Sequence, residues 1–232
     1  MTGILYGAGV GPGDPELMTL KAVRLIKENE IIALPGPAAK ETVAYQIAVQ
    51  AVPELAGKTL LSVDMPMTHD REEMHRNHEK AADAIEVYLK QGQNVVFLTL
   101  GDPTIYSTYL YVQKRILARG YQAELISGIT SFCAAAARSR TPLVEWDEQL
   151  HILPAVHKLN SDLSLPGNYV LMKSGRKMHQ VKEILKSSGR DVIMVENCGM
   201  ENEHIYRSAE EIPDDAGYYS LIIAKEPGGR HD

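Results

Sequence analysis

Val95-Val96-Phe97-Leu98-Thr99-Leu100-Gly101-Asp102-Pro103-Thr104-Ile105-Tyr106 reads as a buried strand, a sharp turn and the start of a helix. A strand exposed on one face alternates apolar and polar residues, so the unbroken run from Val95 to Leu98 calls for cover on both faces. Gly101, Asp102 and Pro103 punctuate the chain, and a helix is expected over residues 106–119, stopped by Gly120. Strand followed by helix, repeated, builds a parallel sheet with right-handed crossovers. In such sheets ligands sit beyond the carboxyl ends of the strands, where Gly101-Asp102-Pro103 falls.

Working outward, residues 4–6, 31–34, 58–63 and 123–126 read as further strands, with helices over 17–27, 39–52 and 69–91. Asp14-Pro15-Glu16 is a helix start: a capping Asp, Pro at the first helical position and an acid in the first turn. After Ser127 the pattern changes. An Ala-rich helix over 132–137 precedes strands expected at 149–153, 169–172, 192–195, 204–207 and 218–224, with one more long helix at 178–187. Many strands with few helices predict a mixed sheet. The expected fold class is therefore α/β with two α/β domains: residues 1–126 on a mostly parallel five-stranded sheet, and residues 127–232 on a mixed sheet.

At 232 residues the chain suits one or two domains, and 44% hydrophobic with 23% charged residues excludes disordered, collagen-like and membrane classes. Thirty acids against 24 Lys and Arg leave a formal charge of −6. Non-specific nucleic-acid binding needs clustered positive charge, so that partner is not expected. Cys133 and Cys198 are too few for a disulfide framework or a Cys-based zinc site and fit a reducing cytoplasm. Residues 1–5 lack a basic region followed by a long apolar core, and no apolar run reaches membrane-span length. A cytoplasmic protein without a membrane partner is expected. His69, His75 and His78 on the predicted 69–91 helix lack a ligand pattern and read as surface and boundary residues, so no metal site is expected.

Two more glycine turns accompany the first: Gly7-Ala8-Gly9-Val10-Gly11-Pro12-Gly13-Asp14 and Ser127-Gly128-Ile129-Thr130-Ser131. The dinucleotide fingerprint G-x-G-x-x-G fails in the former, because Pro12 or Asp14 stands at the third glycine. Ile31-Ile32-Ala33 is followed by no acid to hold a ribose. A Walker loop needs Gly-Lys-Ser/Thr, and no Lys is near. Each turn alone reads equally as a tight strand-to-helix connection, with Asp102, Thr130 and Ser131 as helix caps. Three at the same edge of one sheet point to a site.

Taken in order, Gly9-Val10-Gly11-Pro12-Gly13-Asp14, Gly101-Asp102-Pro103 and Gly128-Ile129-Thr130-Ser131 resemble the tetrapyrrole (class III) methyltransferase family. The resemblance spans essentially the whole chain. It implies two α/β domains with S-adenosylmethionine in the cleft between them, and a homodimer. Within the family, Asp64-Met65-Pro66-Met67-Thr68-His69-Asp70-Arg71 and the stretch from Leu98 to Tyr109 look like the enzymes that methylate carbon 20 of precorrin-2 or its cobalt form (cobalt-factor II) in cobalamin biosynthesis. Carried over position by position, the cofactor contacts fall on Pro12, Gly101, Asp102, Ile105, Tyr106, Thr130, Ser131 and Met172. Glu196-Asn197-Cys198-Gly199 departs from the Glu-Asn-Gly-Thr of many relatives.

The implied acceptor is a small-molecule tetrapyrrole with many carboxylates, so an acidic protein must offer it local cations. Arg71, Arg138, Arg140, Lys173 and Arg176 are the candidates, since guanidinium forks suit carboxylates. A meso carbon of a reduced tetrapyrrole is already nucleophilic, so catalysis needs alignment, exclusion of water and a group to take a proton afterwards. Tyr106 and Tyr219 are the catalytic candidates. Sibling readings are methylation of uroporphyrinogen III or another precorrin. A non-catalytic nucleotide-binding sensor is the reading from a different class.

Overall fold

In the computed structural model, which describes residues 1–66, 70–154 and 163–228, β1 (Ile4–Gly9), β2 (Ile31–Pro35), β3 (Thr59–Val63), β4 (Val95–Thr99) and β5 (Gln122–Ile126) form one sheet. Its order is β3-β2-β4-β1-β5 and every pairing is parallel. β4 is the central strand and all five of its residues are buried, as the apolar run from Val95 to Leu98 demands.

Period-two alternation along β4 sends successive residues to opposite faces. Val96 and Leu98 pack with Ala22, Leu25, Ile26, Ile47 and Ala48 of α1 (Leu20–Glu28) and α2 (Val43–Ala51). Val95 and Phe97 pack with Ala82, Ile85, Leu89, Tyr109, Val112 and Ile116 of α3 (Arg71–Lys90) and α4 (Tyr109–Ala118). Two apolar layers on one sheet are the main apolar contribution to stability, at roughly 25 cal/mol per Å² of apolar surface buried.

Helix starts differ in detail from expectation. Asp14 caps a short 3-10 turn, Pro15–Leu17, by accepting from the Glu16 N–H at 2.9 Å. The helix proper begins later, capped by Thr19. α3 begins at Arg71, with the Asp70 carboxylate accepting from the Glu72 and Glu73 amides. α4 begins at Tyr109 rather than 106, because Tyr106 has φ +49° and breaks the helical path.

The second half carries α5 (Ser131–Ser139), β6 (Leu150–Pro154), β7 (Asn168–Met172), α6 (Met178–Ser188), β8 (Asp191–Glu196), β9 (His204–Tyr206) and β10 (Ser220–Lys225). Its sheet runs β6-β7-β10-β8-β9, with β6 and β7 parallel and the remaining pairs antiparallel. It is the mixed sheet the strand-rich pattern calls for. Met178, Val181 and Leu185 of α6 pack with Tyr169, Leu171, Met194 and Ile222.

The chain divides into units Met1–Thr130 and Ser131–Asp232. Expectation put the boundary at 126. The turn after β5 goes with the first unit, because the Gly128 N–H is bonded to Asp102 and the Ser127 carbonyl to the Thr19 hydroxyl.

Candidate active site

β4, β1 and β5 are neighbours and parallel, so their carboxyl ends deliver all three glycine turns to one edge of the first sheet. The turns interlock there. The Gly101 N–H donates to the Gly11 carbonyl at 2.8 Å, and the Gly11 N–H returns to the Gly101 carbonyl at 3.3 Å. A Cβ on either Gly9 or Gly128 would collide with the Gly101 carbonyl oxygen, and one on Gly9 would also lie 2.8 Å from the Gly128 Cα. Bare backbone is therefore needed for these turns to meet. Gly101 itself has φ +70°, a conformation that only glycine adopts at little cost.

Asp102 is buried and both of its carboxylate oxygens accept hydrogen bonds. One oxygen accepts from the Thr104 N–H at 2.7 Å and from the Thr104 hydroxyl; the other accepts from the Gly128 N–H at 2.9 Å. The helix-cap alternative for Asp102 is thus replaced by a link between two turns. Ser107 stands nearer the start of α4, with its hydroxyl accepting from the Tyr109 N–H at 3.2 Å and sharing a hydrogen with Thr99 at 2.9 Å.

Thr130 lies between Gly128 and α5. Its hydroxyl oxygen is buried and has no hydrogen-bond partner among the described residues, so the capping alternative fails there as well. A buried hydroxyl left unpaired by the protein beside interlocked turns has room for an outside partner, an ordered water or a polar ligand. Pro12, Gly101 and Asp102 are buried, Ile105 is half-buried and Tyr106 is exposed.

In the second unit, Ser131 begins α5 and Met172 ends β7, paired with Leu221 of β10. The chain leaves Met172 through Lys173, at φ +61°. Gly175 then abuts Gly217 and Tyr218, where a Cβ would stand 2.9 Å from the Gly217 carbonyl oxygen. Tyr219 follows, half-exposed, packed edge-on against Tyr218 at 5.3 Å and accepting from the Asn197 N–H at 3.0 Å. Met172, Lys173 and Tyr219 therefore meet at one end of the second sheet. Burial pushes the Lys173 ammonium down and the Tyr219 phenol up, each by disfavouring the charged form.

Three of the five non-glycine residues with positive φ among those described, Tyr106, Arg140 and Lys173, are candidates named from sequence. Such backbones cost on the order of 1–3 kcal/mol and cluster where function requires them.

The cation candidates separate. Arg71 is exposed in the first turn of α3, and Arg140 is exposed just after α5. Arg138 clasps Glu203, with its guanidinium Nε and Nη2 reaching Oε1 at 2.9 and 2.7 Å. Its charge is balanced inside the unit. Arg176 falls in a 3-10 turn, Gly175–Lys177, and its side chain lies outside the described residues. Met67, Thr68 and His69 also lie outside them.

His78 is buried rather than at the surface, stacked on Tyr111 with centroids 4.5 Å apart. No cluster of three or more His, Cys, Asp or Glu able to hold a metal occurs among the described residues. Sequence reasoning missed Thr104, whose spacing from Asp102 is a turn signal, and Glu203, which carries no local signal.

Interlocked glycine turns on a parallel sheet, with a mixed sheet in the second unit, define a class. Residues 4–213 match the family described as Tetrapyrrole (Corrin/Porphyrin) Methylases, and the chain belongs to it. It is 34% identical over 95% of both chains to the probable cobalt-precorrin-2 C(20)-methyltransferase of Methanocaldococcus jannaschii. It is 30% identical, over 95% of this chain and 94% of the relative, to the precorrin-2 C(20)-methyltransferase of Sinorhizobium sp. Among solved structures it shares its fold with the uroporphyrin-III C-methyl transferase of Thermus thermophilus complexed with S-adenyl homocysteine. That likeness has a TM-score of 0.70 at 24% identity, over 97% of this chain and 98% of that one.

Proposed function

We propose that the protein methylates carbon 20 of precorrin-2 or of its cobalt form, cobalt-factor II, in cobalamin biosynthesis, with S-adenosylmethionine as donor. The observation that carries the reading is full-length identity of 30% or more to proteins named for that reaction. S-adenosylmethionine supplies, when bound, a methyl group already activated on a sulfonium.

The residues fit such a donor. Pro12, Gly101, Asp102 and Thr130 offer backbone groups at the interlocked turns, and the unpaired Thr130 hydroxyl offers a hydrogen bond. Ile105 offers an apolar wall and Tyr106 an aromatic one. Ser131 and Met172 are the proposed contacts from the second unit. Fixed backbone amides orient a ligand without reorganising, which is where most of the rate advantage of an aligned displacement lies.

Arg71, Arg140, Lys173 and Arg176 are proposed to hold acceptor carboxylates. The proton that methylation displaces from the meso carbon is proposed to leave through Tyr106, whose phenol passes its own hydrogen to water as it takes the new one. Tyr219, held protonated by burial, acts in this proposal as a hydrogen-bond donor. A homodimer in the cytoplasm completes the reading; no helix among the described residues is long and apolar enough to cross a membrane.

The test is anaerobic incubation with S-adenosylmethionine and either metal-free precorrin-2 or its cobalt complex. Mass spectrometry counts methyl groups and NMR of labelled product places them. One methyl on carbon 20 is the expected result. Methylation elsewhere or of uroporphyrinogen III moves the assignment to a sibling reaction, and donor binding without turnover leaves a sensor.

A further inference from the structure

The Asp102 carboxylate spends both oxygens on protein donors, and those donors sit on two different turns. Oδ1 takes the Thr104 N–H and hydroxyl within its own turn. Oδ2 takes the Gly128 N–H, 26 residues further along the chain, at 2.9 Å. Three of the carboxylate's roughly four acceptor positions are taken, all by protein donors. What it fixes is the turn from Gly128 to Thr130, which carries the buried, unpartnered Thr130 hydroxyl.

The surrounding geometry makes this bond consequential. Gly128 is pressed against Gly9 and the Gly101 carbonyl, so its backbone has no room to shift toward β1. The Gly128 N–H donates to Asp102. Turned away from that carboxylate, the N–H would lose a charge-assisted bond in a half-buried place. Steric contact thus limits the turn from one side and the carboxylate holds it from the other.

We infer that Asp102 is a positioning residue: through Gly128 it sets the turn that presents the Thr130 hydroxyl and its neighbouring amides to the donor. The inference rests on the donor-binding reading above and deepens it. Asp102 acts through its carboxylate on the protein, whatever its backbone contributes to the ligand.

Asp102→Asn separates the tie from general stability. Asn keeps an acceptor for Thr104 but sets an amide NH₂ against the Gly128 N–H. In the ligand-free protein, the ¹H–¹⁵N resonance of Gly128 is expected to move upfield and its hydrogen exchange to accelerate. S-adenosylhomocysteine binding, by calorimetry on folded protein, is expected to weaken about tenfold or more, the scale of one charge-assisted hydrogen bond. Thr104→Val, which removes only the hydroxyl bond, should leave the Gly128 resonance in place and weaken binding far less.

A Gly128 resonance that stays put in Asp102→Asn overturns the tie. A shifted resonance with unchanged S-adenosylhomocysteine affinity overturns the positioning role and leaves a structural one. A wild-type protein that binds no S-adenosylhomocysteine overturns the donor reading, and positioning for a donor with it, while the Gly128 signal still reports on the bond.

Discussion

Arg138 and Glu203 are joined two-handed: guanidinium Nε and Nη2 reach Oε1 at 2.9 and 2.7 Å, and Nε also reaches Oε2 at 3.0 Å. The Gly199 N–H donates to the same carboxylate at 2.6 Å. The pair links α5 to the turn between β8 and β9 across 65 residues of sequence. A guanidinium so occupied contributes to the fold of the second unit.

Burial pushes the Glu203 carboxyl up, but the Arg138 clasp and the Gly199 amide outweigh it and hold the carboxyl below its ordinary value. With the folded value depressed, the unfolded chain binds more protons in the window between the two values. The stabilisation is therefore complete above the ordinary glutamate range and is lost as pH falls through the depressed value. Because Arg138 is 55% exposed, Arg138→Ala should cost no more than about 1 kcal/mol. Denaturant melts at pH 7 and pH 3 should show the difference at pH 7 and little at pH 3. Tetrapyrrole KM should not change; a large rise would return Arg138 to the substrate site.

Gly128→Ala should be more damaging than its size suggests. The added methyl meets the Gly101 carbonyl, and backbone cannot swing aside as a side chain can. Overpacking of this kind costs roughly 1–3 kcal/mol, and here it also pushes apart two turns of the proposed donor site. Gly57→Ala is the control, since nothing lies within 4 Å of its Cβ position. Expected results are a lowered melting temperature with lost S-adenosylhomocysteine binding for Gly128→Ala and near-wild-type behaviour for Gly57→Ala. Intact binding in Gly128→Ala would show that the close approach is dispensable.

These contacts mark the limit of what the sequence makes legible. β4 is readable because an all-apolar run has only one comfortable place, the middle of a covered sheet, and the neighbouring strands follow from the crossover rule. The mixed sheet after Ser127 is readable from its shortage of helices. The start of α4 is not: Tyr106 fits a helix by type, and only its left-handed backbone moves the start to Tyr109. The Asp102–Gly128 bond, the Arg138–Glu203 clasp and the His78–Tyr111 stack depend on which strands and helices become neighbours. Local pattern carries no term for that.

The Lys173 ammonium is partly desolvated by burial, which disfavours its charged form. Burial lowers its folded value below the ordinary lysine range, so between the two values the unfolded chain holds more protons and stability rises with pH. At lower pH the full penalty of a partly buried ammonium applies. Lys173→Met should therefore flatten that rise of stability with pH. The same variant should raise the KM for the tetrapyrrole severalfold while leaving S-adenosylhomocysteine affinity unchanged. A variant whose stability still rises with pH over that range would contradict the desolvation argument, and an unchanged KM would remove Lys173 from the substrate contacts.

Thr130→Val tests the unpaired hydroxyl most directly. Val matches Thr in shape, and no hydrogen bond among the described residues is lost with the oxygen. Leaving a buried hydroxyl unsatisfied costs about 1–3 kcal/mol, so the ligand-free variant should melt at or above the wild-type temperature. Binding should move the other way. If the hydroxyl serves the donor, affinity for S-adenosylhomocysteine should fall by about fivefold or more, the worth of one neutral hydrogen bond near 1 kcal/mol. A ligand that repays the hydroxyl's desolvation is the only reading in which stability and affinity part company. A variant that loses stability would mean that the hydroxyl already has a partner, and one that keeps full affinity would place the donor elsewhere.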